Sequence, residues 1–217
     1  MINLKNKTTF IFDMDGLLVD TEKLHVRFWK ETLPGDPKKV DELVHHTIGT
    51  SGDVVRELCE HYLSDATIMD RLSDVKQGKL YHYIETEGLE QKEGAGELLN
   101  ILTKKGIKKY VASSSRMKDI KFCLEAANLH GFDGIICGDD VKRTKPDPEI
   151  YLKVLETYSL EAKDCVVLED SINGIKSAMA ASINVIGIPD LVSLDPFRDL
   201  DHVMILSSLK DVVKHLR

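Results

Sequence analysis

The segment "FIFDMDGLLVD", residues 10–20, places two acidic residues directly after a short apolar run. The run at residues 10–12 has the continuous apolar pattern of a strand that is buried on both faces of a parallel sheet. Asp13 and Asp15 follow it, and residues two apart on an extended chain lie on the same side. Because neighbouring carboxylates repel each other, a cation is expected to offset their charge. The segment therefore predicts a central strand that delivers two acids to a site at its carboxyl end.

The composition is that of an acidic globular chain. Its 217 residues carry a net charge of −7, with 42% apolar and 30% charged residues. This balance argues against a general nucleic-acid-binding protein, which would present a basic face. Apolar runs are too short for a membrane span, and the N-terminus lacks the apolar region of a secretory signal. The isolated cysteines fit a reducing cytoplasm, and no histidine motif for zinc is present. We therefore predict a cytoplasmic protein without membrane or nucleic-acid partners, and a monomer by default.

Short apolar runs that alternate with amphipathic helical patterns predict a doubly wound α/β fold. The runs are continuous, as expected for strands of a parallel sheet that is covered on both faces. They lie at residues 8–13, 108–114, 133–137, 165–170, 184–189 and 202–206. Gly106 is predicted to cap the C-terminus of a helix at residues 96–106.

The long segment between the first two strands contains only helical patterns. The later strands follow one another at the spacing of an ordinary βαβ crossover, which is far shorter than this segment. We therefore predict an α/β core domain with a Rossmann-like parallel sheet at residues 1–16 and 91–217, and an inserted all-helical cap domain at residues 17–90. Residues 16–20 and 88–96 are the predicted linkers.

Four polar clusters follow predicted strands or precede a predicted helix, at the sheet edge where ligands bind in such folds. In chain order they are Asp13 with Asp15, Ser113 to Ser115, Lys145, and Glu169 with Asp170. Clustered carboxylates suit Mg²⁺, and a carboxylate can also act as a nucleophile. A serine, backbone N–H groups and a lysine suit the negatively charged oxygens of a phosphoryl group. Each cluster alone is more often a turn, a helix cap or a surface charge, but together they indicate phosphoryl transfer.

The four clusters resemble the motifs of the haloacid dehalogenase superfamily, in its subgroup with a small helical cap. "DMDGLLVDT" at 13–21 is similar to the first family motif, and "YVASSS" to the second, an apolar strand that ends in a serine. "KPDPEIY", from Lys145, and "EDSINGI", from Glu169, are similar to the third and fourth. The resemblance covers nearly the whole chain in the family's order. Since the family's dehalogenases lack an acid at the position of Asp15, it implies phosphoryl transfer rather than carbon–halogen cleavage.

The resemblance implies a role for each matching residue. Asp13 is implied to be the nucleophile, and Asp15 the general acid and base, with its backbone carbonyl touching the metal. Glu169 is implied to support the metal site directly or through water. The implied phosphate-binding residues are Ser113, Ser114 and Lys145, and the implied Mg²⁺ ligands are Asp13, Asp15, Glu169 and Asp170.

The resemblance extends both to sugar phosphatases and to β-phosphoglucomutases of this subgroup. His25 and Trp29 are similar to the mutases, although related phosphatases also carry a histidine there. Glu22 is typical of the phosphatases, and Gly52 lies about where the mutases have an arginine that grips a second phosphate. We therefore predict a Mg²⁺-dependent phosphatase that acts on a small phosphorylated metabolite, a sugar phosphate or nucleotide-like monophosphate, through an aspartyl-phosphate intermediate. The alternatives are a β-phosphoglucomutase-like mutase and a catalytically silent metabolite-binding protein, which the intact acid, serine and lysine set argues against.

Substrate specificity is expected to lie in the cap. The candidate residues there are His25, Thr50, Ser51, Gly52 and Lys76. The sequence leaves open which of them face a substrate.

Overall fold

A computed structural model describes residues 2–48 and 53–217 and divides the chain into two compact units. The first unit comprises Met1–Asp20 and Glu90–Arg217, and the second comprises Thr21–Leu89. They are called here the α/β unit and the helical unit. Within the described residues, no helix is both long enough and apolar enough to cross a bilayer.

The α/β unit is built on one parallel sheet. Its strands are β1 (Thr9–Phe12), β2 (Lys108–Ala112), β3 (Gly134–Ile136), β4 (Cys165–Glu169), β5 (Asn184–Gly187) and β6 (Val203–Ile205). They lie in the order β3–β2–β1–β4–β5–β6, and every neighbouring pair is parallel. The chain extends the sheet in one direction from β1 to β3 and in the other from β4 to β6, which confirms the predicted doubly wound fold.

The described helices belong to one unit or the other. The helical unit contains α1 (Glu22–Thr32), α2 (Pro37–Thr47), α3 (Asp53–Leu63) and α4 (Ile68–Glu87), and the α/β unit contains α5 (Ala95–Lys104), α6 (Met117–Ala126), α7 (Glu149–Thr157), α8 (Ile172–Ala180) and α9 (Leu209–Leu216). Gly106 follows α5 with a φ of +68° and donates its N–H to the Thr103 carbonyl, which confirms the predicted cap. Glycine suits this position because the left-handed conformation carries little steric cost without a Cβ atom.

Apolar side chains on β1, β2 and β4 build a core that α7 and α8 share. Every residue of β1 and β4 is buried, as the apolar runs at residues 10–12 and 165–168 predict. Ile11, Tyr110 and Val167 pack in one cluster with Val154 of α7 and Ile175 of α8. Removing this much apolar surface from water is the main force that holds the strands in place, and hence fixes the ends that carry the polar clusters.

The helical unit has a small core of its own. Helix α1 packs with α4, and α2 packs with α3. Leu43 and Cys59 are fully buried within one apolar cluster of this unit. Asp36 caps α2 by accepting hydrogen bonds from two backbone N–H groups, and Pro37 occupies the first helical position, where its missing N–H costs nothing.

The boundary between the two units differs from the sequence-based boundaries at residues 17 and 90. Residues 17–19 are fully buried, and they follow a tight turn in which Gly16 has a φ of +77°. Val19 then forms an antiparallel bridge with Gln91, and the Asp20 N–H donates to the Glu90 carbonyl at 3.1 Å. Because the outgoing and returning segments pair with each other, contacts assign residues up to Asp20, and from Glu90 onward, to the α/β unit.

Candidate active site

The register of the sheet brings the ends of neighbouring strands to one place. Phe12 of β1 pairs with Val111 of β2 on one side and with Leu168 of β4 on the other. Asp13 continues this ladder, because its N–H donates to the Leu168 carbonyl at 3.0 Å. The next residue along β4 is Glu169, so two acids stand side by side at the carboxyl edge of the sheet.

Three acids at this edge form a compact group. One carboxylate oxygen from each of Asp13, Glu169 and Asp170 lies within 4.8 Å of the others, and all three residues are buried. Buried like charges at this separation require an opposite charge close by. Hard carboxylate oxygens are the ligands that Mg²⁺ prefers, so this donor set fits a divalent cation of that kind.

Lys145 lies among these acids and is itself only 6% exposed. Its Nζ lies 2.5 Å from Asp13 Oδ1, 2.7 Å from Glu169 Oε1 and 2.9 Å from the Ala112 carbonyl oxygen. An ammonium group has three N–H donors, and these three acceptors match that number. Lys145 therefore links Asp13, which follows β1, to Glu169, the last residue of β4.

The pKa values of Asp13 and Lys145 reflect their burial beside other charged groups. Burial raises the pKa of Asp13 well above its ordinary value, against the opposing effect of Lys145 and with support from the charges of Glu169 and Asp15. Burial alone would lower the pKa of Lys145, but the charges of Asp13 and Glu169 outweigh it and raise this pKa. Burial is thus the main cause of the Asp13 shift, whereas neighbouring carboxylates cause the Lys145 shift, and a bound cation would offset the negative charge of these carboxylates.

The serine cluster after β2 contributes to the same edge. Ser113 is buried, donates its N–H to the Ile136 carbonyl at 3.2 Å, and accepts the Ser115 N–H at its own Oγ at 3.1 Å. Ser114 is exposed. The Ser115 hydroxyl donates to Asp15 Oδ2 at 2.8 Å, a contact that sequence reasoning did not find. The partly buried Asp15 side chain is therefore held by the loop that carries Ser113.

Glu169 is fully buried and receives hydrogen bonds at both of its oxygens. Oε1 accepts from Lys145 and from the Tyr151 hydroxyl, each at 2.7 Å. Oε2 accepts from the N–H groups of Asp170 and Ser171, at 3.2 and 3.3 Å, and from the Ser171 hydroxyl at 3.1 Å. Ser171 also caps α8 through the Gly174 N–H, so Glu169 is tied to the start of that helix. Tyr151 was present in the motif "KPDPEIY", but its role was missed.

Two candidates from the predicted cap meet within the helical unit. Lys76 is 7% exposed, and its Nζ lies 2.7 Å from His25 Nδ1 and 5.3 Å from the centre of the Trp29 ring. Because an ammonium group only donates, Nδ1 is the acceptor in this contact. Thr50, Ser51 and Gly52 lie outside the described residues. A role in substrate binding for these five candidates, His25, Thr50, Ser51, Gly52 and Lys76, stays a prediction.

The acids and the buried lysine lie at the carboxyl edge of a doubly wound sheet, near the point where the strand order reverses. This is the position at which α/β proteins of this class bind their ligands. A family model described as haloacid dehalogenase-like hydrolase matches residues 10–188. The chain therefore belongs to the haloacid dehalogenase-like hydrolases, as its motifs predict.

Individual relatives agree with this assignment. The chain is 35% identical over 178 residues to the phosphorylated carbohydrates phosphatase of Thermotoga maritima, with 80% of this chain and 81% of that protein covered. It is 27% identical over 206 residues to hexitol phosphatase A of Escherichia coli, with 94% and 92% covered. The crystal structure of CbbY from Rhodobacter sphaeroides in complex with phosphate has the same fold, with a TM-score of 0.78 at 24% identity, and covers 97% of this chain and 99% of that one.

Gly174→Ala is expected to destabilise the protein because Glu169 fills the space beside Gly174. A Cβ atom at residue 174 would lie 1.9 Å from Glu169 Cδ, so the buried carboxylate would have to move. Overpacking of this kind costs about 1–3 kcal/mol, which would appear as a lower melting temperature in circular dichroism.

Gly78→Ala is the matched control for that substitution. Gly78 lies within α4, and a Cβ atom there would meet nothing within 4 Å. Since alanine favours a helix over glycine by about 0.5–1 kcal/mol, this variant should melt at the wild-type temperature or above. Equal melting temperatures for the two variants would show that the space beside Glu169 is not constrained.

Proposed function

We propose that this chain is a Mg²⁺-dependent phosphatase that hydrolyses small phosphorylated carbohydrates through an aspartyl-phosphate intermediate. The observation that carries the proposal is the placement of Asp13 against Lys145, with Glu169 and Asp170 alongside. It puts a carboxylate that can attack phosphorus, a cation that can hold phosphoryl oxygens and a metal-ligand set at one sheet edge. The two relatives named as phosphatases of phosphorylated carbohydrates and hexitols support the substrate class.

In the proposed first step, a carboxylate oxygen of Asp13 attacks the phosphorus atom of the substrate. The bond from phosphorus to the sugar oxygen breaks, and Asp15 donates a proton to that leaving oxygen. The Ser115 hydroxyl, which donates to Asp15 Oδ2 at 2.8 Å, would hold the Asp15 carboxylate in place during this step. Lys145 and Ser113 would hold the oxygens of the transferred group, and Lys145 would exchange its contact with Asp13 for one with a phosphoryl oxygen.

In the proposed second step, water replaces Asp13 on phosphorus. Asp15, now deprotonated, accepts a proton from the water as the new oxygen–phosphorus bond forms, and inorganic phosphate leaves with Asp13 restored. Asp13 and Asp170 would hold the metal ion, with the Asp15 carbonyl as a further candidate and Glu169 supporting the site directly or through water. When bound, Mg²⁺ would supply positive charge that offsets the charge on the phosphoryl oxygens and the acids.

A cytoplasmic location and a monomeric state stay predictions from the sequence.

Phosphate release from a panel of phosphorylated compounds tests the proposed activity. Hexose, pentose and hexitol phosphates should release inorganic phosphate with Mg²⁺ present, faster than nucleoside monophosphates do. The matched assay follows conversion of β-glucose 1-phosphate to glucose 6-phosphate with a bisphosphate primer. Efficient isomerisation with little phosphate release would instead establish the mutase alternative, and tight binding without turnover would establish a binding protein.

Asp13→Asn is expected to abolish phosphate release because an amide cannot serve as the attacking carboxylate. Turnover should fall by at least about 10³-fold, the range seen when a nucleophile is removed from a group that acts as a unit. The variant should stay folded, since the asparagine side chain keeps one oxygen that can accept from Lys145, and circular dichroism would verify this. Wild-type turnover in a folded Asp13→Asn protein would show that another group attacks phosphorus.

Removal of divalent metal should also stop turnover. Dialysis against EDTA would leave the acids with Lys145 as their counter-charge, so phosphoryl oxygens would enter a site with excess negative charge. Activity should return when Mg²⁺ is added and should track its concentration to saturation. Undiminished phosphate release by a metal-free preparation, checked by elemental analysis, would contradict the proposed metal dependence.

A further inference from the structure

Tyr151 is a buried tyrosine whose polar end faces the candidate active site. It lies on α7, its exposed fraction is 0%, and its ring packs in the core cluster that includes Ile11 and Val167. Its hydroxyl donates to Glu169 Oε1 at 2.7 Å. The Lys145 Nζ lies 5.2 Å from the centre of the Tyr151 ring, a separation at which an ammonium is attracted to an aromatic face. One side chain therefore contacts both members of the Lys145–Glu169 ion pair.

These contacts fill the hydrogen-bonding capacity of Glu169. A carboxylate has about four lone-pair positions, and the two oxygens of Glu169 accept from Lys145, Tyr151, Asp170 and twice from Ser171. A metal ion bound directly to this carboxylate would displace one of those donors inside the protein. Glu169 is therefore suited to anchor Lys145 and the start of α8, and poorly suited to act as a direct metal ligand.

The anchor matters because Lys145 must change partners during the proposed reaction. Its hydrogen-bond acceptors include Asp13, Glu169 and the Ala112 carbonyl. When Asp13 turns to phosphorus, Glu169 and the Ala112 carbonyl would continue to hold the ammonium group. The Ala112 carbonyl belongs to β2 and is fixed by the sheet, whereas Glu169 reaches Lys145 through its side chain, which hydrogen bonds must hold in place. The Tyr151 hydroxyl provides that support at Oε1, the oxygen that Lys145 also uses.

We propose that Tyr151 is a positioning residue that fixes Glu169 as an anchor for Lys145, and that Glu169 does not bind the metal ion directly. The inference rests on the proposed function for the role of Lys145 in phosphoryl binding. Tyr151 acts through Glu169 and Lys145 and makes no contact with the reacting atoms itself.

Tyr151→Phe tests this inference because it removes the hydroxyl and keeps the ring that fills the core. Titration calorimetry would measure binding of inorganic phosphate with Mg²⁺ present, and separately binding of Mg²⁺ alone. Phosphate affinity is expected to fall about tenfold, the effect of losing one hydrogen bond to a charged group, while Mg²⁺ affinity stays within about twofold of wild type. Since the titrations need no turnover, they decide the role of Tyr151 even if the phosphate-release panel refutes the proposed activity.

Tyr158→Phe is the matched control. Tyr158 follows the end of the same helix, and its hydroxyl donates to the Ile135 carbonyl of β3 at 3.4 Å. Because the same atom is removed at a position that supports β3, both affinities should equal those of the wild-type protein. A fall in phosphate affinity in both variants would assign the effect to general loosening of the fold and overturn the inference.

Three results for Tyr151→Phe would also overturn it. Unchanged phosphate affinity would show that the hydroxyl does not position Lys145. Weakened Mg²⁺ binding would show that Tyr151 supports a metal ligand, and strengthened Mg²⁺ binding would show that the hydroxyl competes with the metal for Glu169. If Tyr151→Phe fails to fold, Glu169→Gln replaces it in the same titrations. Its phosphate affinity should fall by a larger factor than its Mg²⁺ affinity, and the reverse order would contradict the inference.

Discussion

The ammonium group of Lys145, buried between the carboxylates of Asp13 and Glu169, is the interaction on which the site depends. Taking an ion pair out of water is expensive, and it is tolerable only where hydrogen bonds satisfy both partners. Here the Ala112 carbonyl accepts a hydrogen bond from Lys145, and the Tyr151 hydroxyl donates one to Glu169. The sheet order β3–β2–β1–β4–β5–β6 makes this arrangement possible, because it sets β1 between β2, which ends at Ala112, and β4, which ends at Glu169.

The fold could be predicted from the sequence because its signals are local. Unbroken apolar runs such as residues 165–168 identify strands of a covered parallel sheet, and the long stretch of helical patterns after the first strand identifies an insertion. The ends of that insertion were harder to place. Residues 17–19 are apolar and fit a linker or a core equally well, and in the structure Val19 pairs with Gln91 of the returning segment. That pairing joins positions far apart in the chain, and no local pattern reports it.

The same distinction applies to the candidate site. Residues at strand ends, such as Asp13 and Ser113, could be predicted because parallel strands deliver their carboxyl ends to a common edge. Tyr151 could not, since its position on α7 matches the spacing of ordinary core residues and its hydroxyl partner lies on β4. The contact of Ser115 with Asp15 was missed for a similar reason, because it depends on how two loops approach each other. The partner of a hydroxyl group depends on which residues the fold brings near it, and the spacing of apolar residues along a helix does not report this.

The paired segments that lead into and out of Thr21–Leu89 have a consequence for how this chain can vary. The Asp20 N–H meets the Glu90 carbonyl at 3.1 Å, and the Lys92 N–H meets the Leu18 carbonyl at 2.9 Å. The two ends of the insertion are thus held close together within the α/β unit. The entropic cost of closing a chain between two such ends grows only slowly with the length of the chain. A change in the length of residues 21–89 is therefore expected to add little closure entropy as long as the pairing of Val19 with Gln91 is kept.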